Sequence, residues 1–116
     1  MKRDYDLIRL ILLAAESDAP QTFPNYDAET VGHHIYLLWQ AGLVEAIDTS
    51  LASGRHKLAS YPRLTWHGHE FLDQIRDDGI WQNAKTHVIK PGAGLAFDLL
   101  TAWLKQEAAS RLGLNL

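Results

Sequence analysis

Apolar positions recur with a helical period in five stretches of the chain and with a strand pattern in two. Over residues 2–16, Leu7, Leu10, Ile11 and Ala14 follow the i, i+3, i+4, i+7 spacing, and Ile8 and Leu12 widen the stripe. The polar stretch 17–21 contains Pro20 and predicts the end of that helix. Phe23-Pro-Asn-Tyr26 suits a short extended segment, which Pro24 confines to an edge. Asp27 can cap a second helix, whose inward face is marked by Val31, Ile35 and Leu38. Gly42 follows at the position just past a helix end that favours a left-handed residue.

Residues 43–49 predict a strand, SLASGRHK (50–57) a turn with Gly54 near its tip, and 58–64 a returning strand weakened by Pro62. Thr65 can cap a third helix, WHGHEFLDQIRDD, with Phe71, Leu72 and Ile75 on one face. Gly68 in its first turn predicts close approach of another element, such as a tryptophan ring. Asp78-Gly79 is expected to stop this helix. A fourth helix is expected over 80–90, with Trp81, Ala84 and Val88 aligned, and Pro91-Gly92 then breaks the chain. A fifth helix over 94–111 carries Phe97, Leu100, Leu104 and Ala108 in one stripe beside Trp103, and Gly113 ends it. This order predicts a mainly α fold with a small antiparallel β-hairpin. It is winged-helix-like, a winged helix-turn-helix variant, with two C-terminal helices. The expected organisation is a single domain over 1–116, with its core in 1–79 and the C-terminal helices in 80–116.

Composition adds limits. A chain of 116 residues, 47% apolar and 22% charged, is an ordinary globular domain that needs no covalent staple. The absence of cysteine excludes disulfides, thiolate metal sites and a cysteine nucleophile, and agrees with a reducing compartment. No signal peptide and no apolar run of membrane-spanning length is found, so the expected location is the cytoplasm. The four tryptophans, Trp39, Trp66, Trp81 and Trp103, each fall in a different predicted helix and read as core or groove anchors.

The blocks MKRDYDLIRLIL, VGHHIYLLWQAGLVEA, RLTWHGHEFLDQIRDDGIWQNAK and GLAFDLLTAWLK, in this order, resemble the domain-of-unknown-function family 2513. That resemblance implies a small winged-helix-like fold, an association with phages, prophages and bacterial genomes, and no catalytic motif. VGHHIYLLWQAGLV, from Val31 to Val44, also resembles the recognition helix and first wing strand of many bacterial winged-helix regulators. Those regulators place another helix before the recognition helix. Here residues 17–26 hold two prolines and are too short for a helix and a turn, a departure from the arrangement used for major-groove docking.

Charge locates the candidate contacts. The net charge is −3 with a pI near 6.0, whereas dedicated nucleic-acid binders carry a basic excess. One stretch departs from this balance: residues 50–63 hold Arg55, His56, Lys57 and Arg63 and no acid. If each of the three cations met a phosphate, the salt slope would be about −2 to −3. Such charges also suit a solvated turn that resists edge pairing. On the second helix His33, His34 and Gln40 are expected on or near the outer side, where they could meet phosphates or base edges. Asp27 and Glu29 at that helix start oppose a polyanion.

Other motifs give no chemistry. His67-Gly-His69 lacks the i, i+4 spacing of helical metal pairs. Asp77-Asp78-Gly79 lacks the spaced oxygens of a calcium loop, and Pro91-Gly-Ala-Gly94 lacks the lysine of a phosphate loop. No nucleophile elbow is present. The expectation is therefore a non-enzymatic protein with no catalytic residues, metal or cofactor. The leading expectation is a phage- or prophage-associated nucleic-acid-binding or regulatory module that touches double-stranded DNA mainly through its wing. The alternative is a protein-interaction module on the same scaffold, in which the acidic second helix with Tyr36 and Trp39 meets a host or phage protein. Neither reading involves a membrane. The fifth-helix stripe either packs on its own chain or forms a homodimer seam, and Leu112, Leu114 and Leu116 give the tail further apolar character.

Overall fold

The computed structural model describes residues 1–18, 22–89 and 97–113. Helix α1 (Tyr5–Glu16) begins where the Asp4 carboxylate accepts the Leu7 amide at 3.1 Å. Its N-terminal boundary therefore lies three residues later than the apolar period suggests. Leu7, Ile8, Ile11 and Leu12 are buried, while Leu10 is 43% exposed, so the buried stripe is rotated from the expected one. Phe23 to Tyr26 form a hydrogen-bonded turn, from the Tyr26 amide to the Phe23 carbonyl at 3.0 Å, in place of the expected extended segment. Among the described residues no helix lies between α1 and α2.

Helix α2 (Ala28–Gln40) starts at Asp27, whose carboxylate accepts the Thr30 amide at 2.7 Å. That hydrogen bond holds the Asp27 carboxyl below the usual carboxylate range. The helix ends at Gly42, whose φ of 77° is the left-handed conformation that only glycine adopts without steric cost. Strand β1 (Val44–Asp48) and strand β2 (Ala59–Leu64) form a two-stranded antiparallel sheet. At its far end the Ser50 hydroxyl closes the ladder, accepting the Leu58 amide at 2.8 Å and donating to the Leu58 carbonyl at 3.2 Å. The core here is built from Leu7, Ile8, Ile11, Leu12, Ile35, Leu38, Leu43, Val44 and Ala59, on α1, α2 and the hairpin. α2 approaches β2 at Gly32, where a Cβ would sit 3.4 Å from Leu58 Cδ2.

Helix α3 (Trp66–Ile75) is rooted in the turn between α2 and β1. The Thr65 amide donates to the Leu43 carbonyl at 3.1 Å, the Thr65 hydroxyl donates to the Gly42 carbonyl and accepts the Gly68 amide at 3.1 Å. Gly68 does permit a close approach, but of backbone and not of a tryptophan ring. A Cβ there would lie 1.9 Å from the Leu43 carbonyl oxygen. α3 ends at Ile75, before Asp78-Gly79. Asp77 accepts the Ile80 amide at 2.9 Å and caps helix α4 (Asp78–Ala84), so the expected stop signal forms the first turn of the next helix. A π-helical segment, Lys85–Ile89, continues from it.

Clustering of contacts divides the chain into two units, Met1–Leu72 and Asp73–Leu116. In the second, α4 and the π-helical segment pack on helix α5 (Phe97–Arg111), and Trp81, Ala84, Leu100, Leu104 and Ala109 are buried. Of the α5 stripe, Leu100 and Leu104 are buried within the chain, while Phe97, Trp103 and Ala108 are half-buried. Gly113 ends α5 with φ 75°. Pro20, the Pro91-to-Gly94 break with the start expected for the fifth helix, and the tail residues Leu114 and Leu116 lie outside the described residues. The architecture is thus mainly helical with one antiparallel hairpin, in a winged-helix-like layout. No helix among the described residues is long and apolar enough to cross a membrane.

Candidate interaction surface

One of the three cations in the basic stretch of the hairpin, Arg63, is paired once the chain is folded. Arg63 donates to the Glu45 carboxylate at 2.8 Å, across the ladder where Glu45 and Arg63 are direct partners. His56 Nε2 stands 3.8 Å from Glu29 Oε1, and its ring lies 5.0 Å from that of His33. His33 Nδ1 is 2.8 Å from the Lys57 carbonyl, which can only accept, so this nitrogen carries the proton. His33, His56 and Lys57 are thus gathered where the start of α2 meets the wing, beside an acidic residue. Lys57 also acts on Asp48, whose carboxyl is held down mainly by hydrogen bonding from Ser50 and less by that lysine. Arg55 and Lys57 make no side-chain ion pair among the described residues. The hairpin that carries Arg55, Lys57 and Arg63 also carries Glu45 and Asp48, and Asp27 and Glu29 stand at the start of α2.

The second helix differs more sharply from expectation. His34 is not on the outer side. It is fully buried, with Nε2 accepting the Asp4 amide at 2.8 Å and Nδ1 donating to the Thr30 carbonyl at 2.8 Å. Burial, the largest influence, holds its pKa below the ordinary histidine value. This neutral imidazole fastens the start of α1 to α2 and cannot reach a ligand. Asp4 completes the junction. Its carboxylate accepts a hydrogen bond from Tyr26, whose hydroxyl is raised in pKa first by burial and then by the Asp4 charge. Gln40 is exposed at the opposite end of α2, roughly 10 Å of helix away from His33. The expected helix contacts therefore do not form one site.

A different surface lies on the outer side of the hairpin, and it joins Trp39, expected at a protein contact, to strand residues that the hydrophobic pattern does not single out. Trp39, Glu45, Ala46, Ile47, Tyr61 and Arg63 line a shallow depression of about 480 Å³. Ile47 is 58% and Tyr61 74% exposed. Tyr36 packs edge-on against Trp39, with ring centroids 6.2 Å apart. Tyr61 reaches this position through an irregular ladder. Val44 pairs with Leu64, Glu45 with Arg63 and Ile47 with Ser60, so Tyr61 and Pro62 together face Ala46. This is a β-bulge, which bends a strand and re-aims a side chain. It also accommodates Pro62, which has no amide to offer a ladder. Tyr61 takes φ 58°, a left-handed conformation that costs a non-glycine residue about 1–2 kcal/mol. The chain bears that strain and presents an aromatic ring to solvent. Trp66, expected to be an anchor, is instead 79% exposed at the start of α3, whereas Trp81 is buried as expected. A second, smaller depression of about 330 Å³ lies between α1 and the 22–26 turn, lined by Leu10, Ala14 and Phe23 among others.

Comparison with known proteins gives a family without a described activity. Residues 2–94 match the family described as Hypothetical protein (DUF2513). That match covers the first three sequence blocks and ends where the fourth begins. A protein of Haemophilus influenzae (strain ATCC 51907 / DSM 11121 / KW20 / Rd), described as an uncharacterized protein, is 43% identical over 107 residues, covering 86% of this chain and 89% of its own. No solved structure matches. On these matches, the chain belongs to the DUF2513 family.

Proposed function

We propose that this protein is a non-enzymatic, cytoplasmic protein-interaction module, and that the outer face of its hairpin is the contact surface. The observation that carries the reading is the strained bulge at Tyr61, which holds an aromatic ring in solvent beside Trp39 and Ile47. Aromatic side chains are enriched at protein interfaces and dominate their energetics. Strain of this kind persists where the surrounding structure imposes it, and it gathers at functional positions. The pairing of Arg63 with Glu45 and the nearness of His56 to Glu29 weaken the rival reading, contact with DNA through the wing. What still favours DNA is the pair Arg55 and Lys57, exposed at the wing tip. Two such contacts would support only weak, salt-sensitive and sequence-independent binding.

The test is site-specific photo-crosslinking in cells, with a photoreactive phenylalanine analogue at position 61 and a control at the exposed Gln106 of α5. The expected result is a discrete protein adduct from position 61 and none from position 106. Nucleic-acid adducts, or no adduct at all, would overturn the reading.

A further inference from the structure

We infer that the occupant of the outer hairpin face is a second copy of this chain, docked about a two-fold axis so that Glu45 of each copy meets Arg63 of the other. This rests on the interaction reading above and names its partner. The charges of the surface carry the argument. One carboxylate and one guanidinium stand side by side at 2.8 Å, with side chains 66% and 80% exposed, next to an apolar centre made by Ala46, Ile47, Trp39 and Tyr61. The patch has no net charge. A strongly basic or strongly acidic partner finds no complement on it. A copy of the same patch turned through half a revolution does, because its cation then lies over this anion and its anion over this cation. Two-fold interfaces require a surface that complements itself in this way.

Shape agrees with charge. The surface carries both a projecting ring, Tyr61, and a shallow depression beside it. Such a patch can offer a projection and receive one. The exposed Glu45–Arg63 pair contributes little by itself, and the two reciprocal pairs across the axis would offset the cost of removing water from these charges. Leu100 and Leu104 of the α5 stripe are buried in their own chain and offer no surface to a partner. Nucleic acid is a poor occupant, since its phosphates would meet the Glu45 carboxylate.

The experiment is sedimentation velocity on the full chain across a wide concentration range, with circular dichroism to confirm folding of each variant. Wild-type protein is expected to pass from 13.1 kDa to twice that mass as concentration rises. Tyr61→Glu and Ile47→Lys should each weaken self-association by at least about tenfold. Glu45→Arg alone and Arg63→Glu alone should each self-associate poorly, because each copy then carries two like charges on the patch. An equimolar mixture of Glu45→Arg and Arg63→Glu protein should form a heterodimer at least about tenfold tighter than either alone. Wild-type protein that stays monomeric at every concentration, or a mixture no tighter than its components, overturns the proposal. Crosslinking from position 61 separates the two levels of the argument. An adduct to the same chain supports self-association. An adduct to a different protein, with a monomeric wild type, overturns self-association and leaves the interaction reading standing. No adduct overturns both.

Discussion

The imidazole of His34 accepts the backbone amide of Asp4 at 2.8 Å, across thirty residues of sequence, while its other nitrogen donates to the Thr30 carbonyl. Both bonds require the neutral ring in one tautomer. His34→Ala removes both and leaves the Asp4 amide, a part-buried donor, without its partner. The cost from that donor alone is about 1–3 kcal/mol. Thermal unfolding at neutral pH measures it, and an unchanged melting temperature would show that water replaces the imidazole freely.

The same residue gives a pH dependence. Burial holds the His34 pKa in the folded chain below 6.5, the value it takes when exposed. Above pH 6.5 the ring is neutral in both states and the contribution is flat. As pH falls below 6.5 the unfolded chain binds a proton that the folded site refuses, so stability drops. The loss stops once the folded site is itself protonated. Melting curves of wild type and His34→Phe between pH 7.5 and 4.5 should converge in this direction. A wild type that becomes relatively more stable on acidification would contradict the assignment.

Gly68 and the Leu43 carbonyl leave no room for a methyl group, since a Cβ would lie 1.9 Å from that oxygen. Gly68→Ala must push α3 away from the root of the hairpin. The expected loss is about 1–3 kcal/mol. Chemical denaturation reads it, and a neutral substitution would mean that the root yields easily.

Tyr61→Gly should raise stability. Relief of the left-handed strain gives about 1–2 kcal/mol, and the extra freedom of glycine in the unfolded chain takes back roughly 0.5–1 kcal/mol. Tyr61→Ala relieves no strain and should not gain. A fall in melting temperature for the glycine variant would show that ring contacts outweigh the backbone strain.

Leu100→Ala should cost about 2–5 kcal/mol, because Leu100 is fully buried on α5. Trp81 and Trp103, in the same half of the chain, supply a fluorescence probe of its unfolding. Unchanged unfolding would make the helix peripheral.

Much of the fold was legible in the sequence because its signals are local. The caps at Asp27 and Thr65, the left-handed Gly42 and Gly113, and the apolar faces of α2 and α3 need only neighbouring residues to be read. His34 departs from its expected outer position for a physical reason: it lies three residues after Val31 and four before Leu38, which is inward spacing, and its two hydrogen bonds offset the burial of its polar ring. The partner of Arg63 was not legible, because Glu45 lies eighteen residues away and only strand register brings them together. The Tyr61 surface was hidden for a related reason. A bulge changes which residues share a face, and Pro62 signals an irregular strand without saying which neighbour is the extra residue.

That bulge divides the hairpin into two short ladders with separate registers. The root ladder, Val44 with Leu64 and Glu45 with Arg63, is anchored by the Thr65 and Leu43 contact. The distal ladder, Ile47 with Ser60 and Asp48 with Ala59, is closed by Ser50 and Leu58. The aromatic face straddles this break: Glu45 and Arg63 belong to the root ladder, Ile47 to the distal one, and Tyr61 to the bulge between them. A change in the bulge would therefore rearrange the face from its middle while leaving both ladders' own pairs in place.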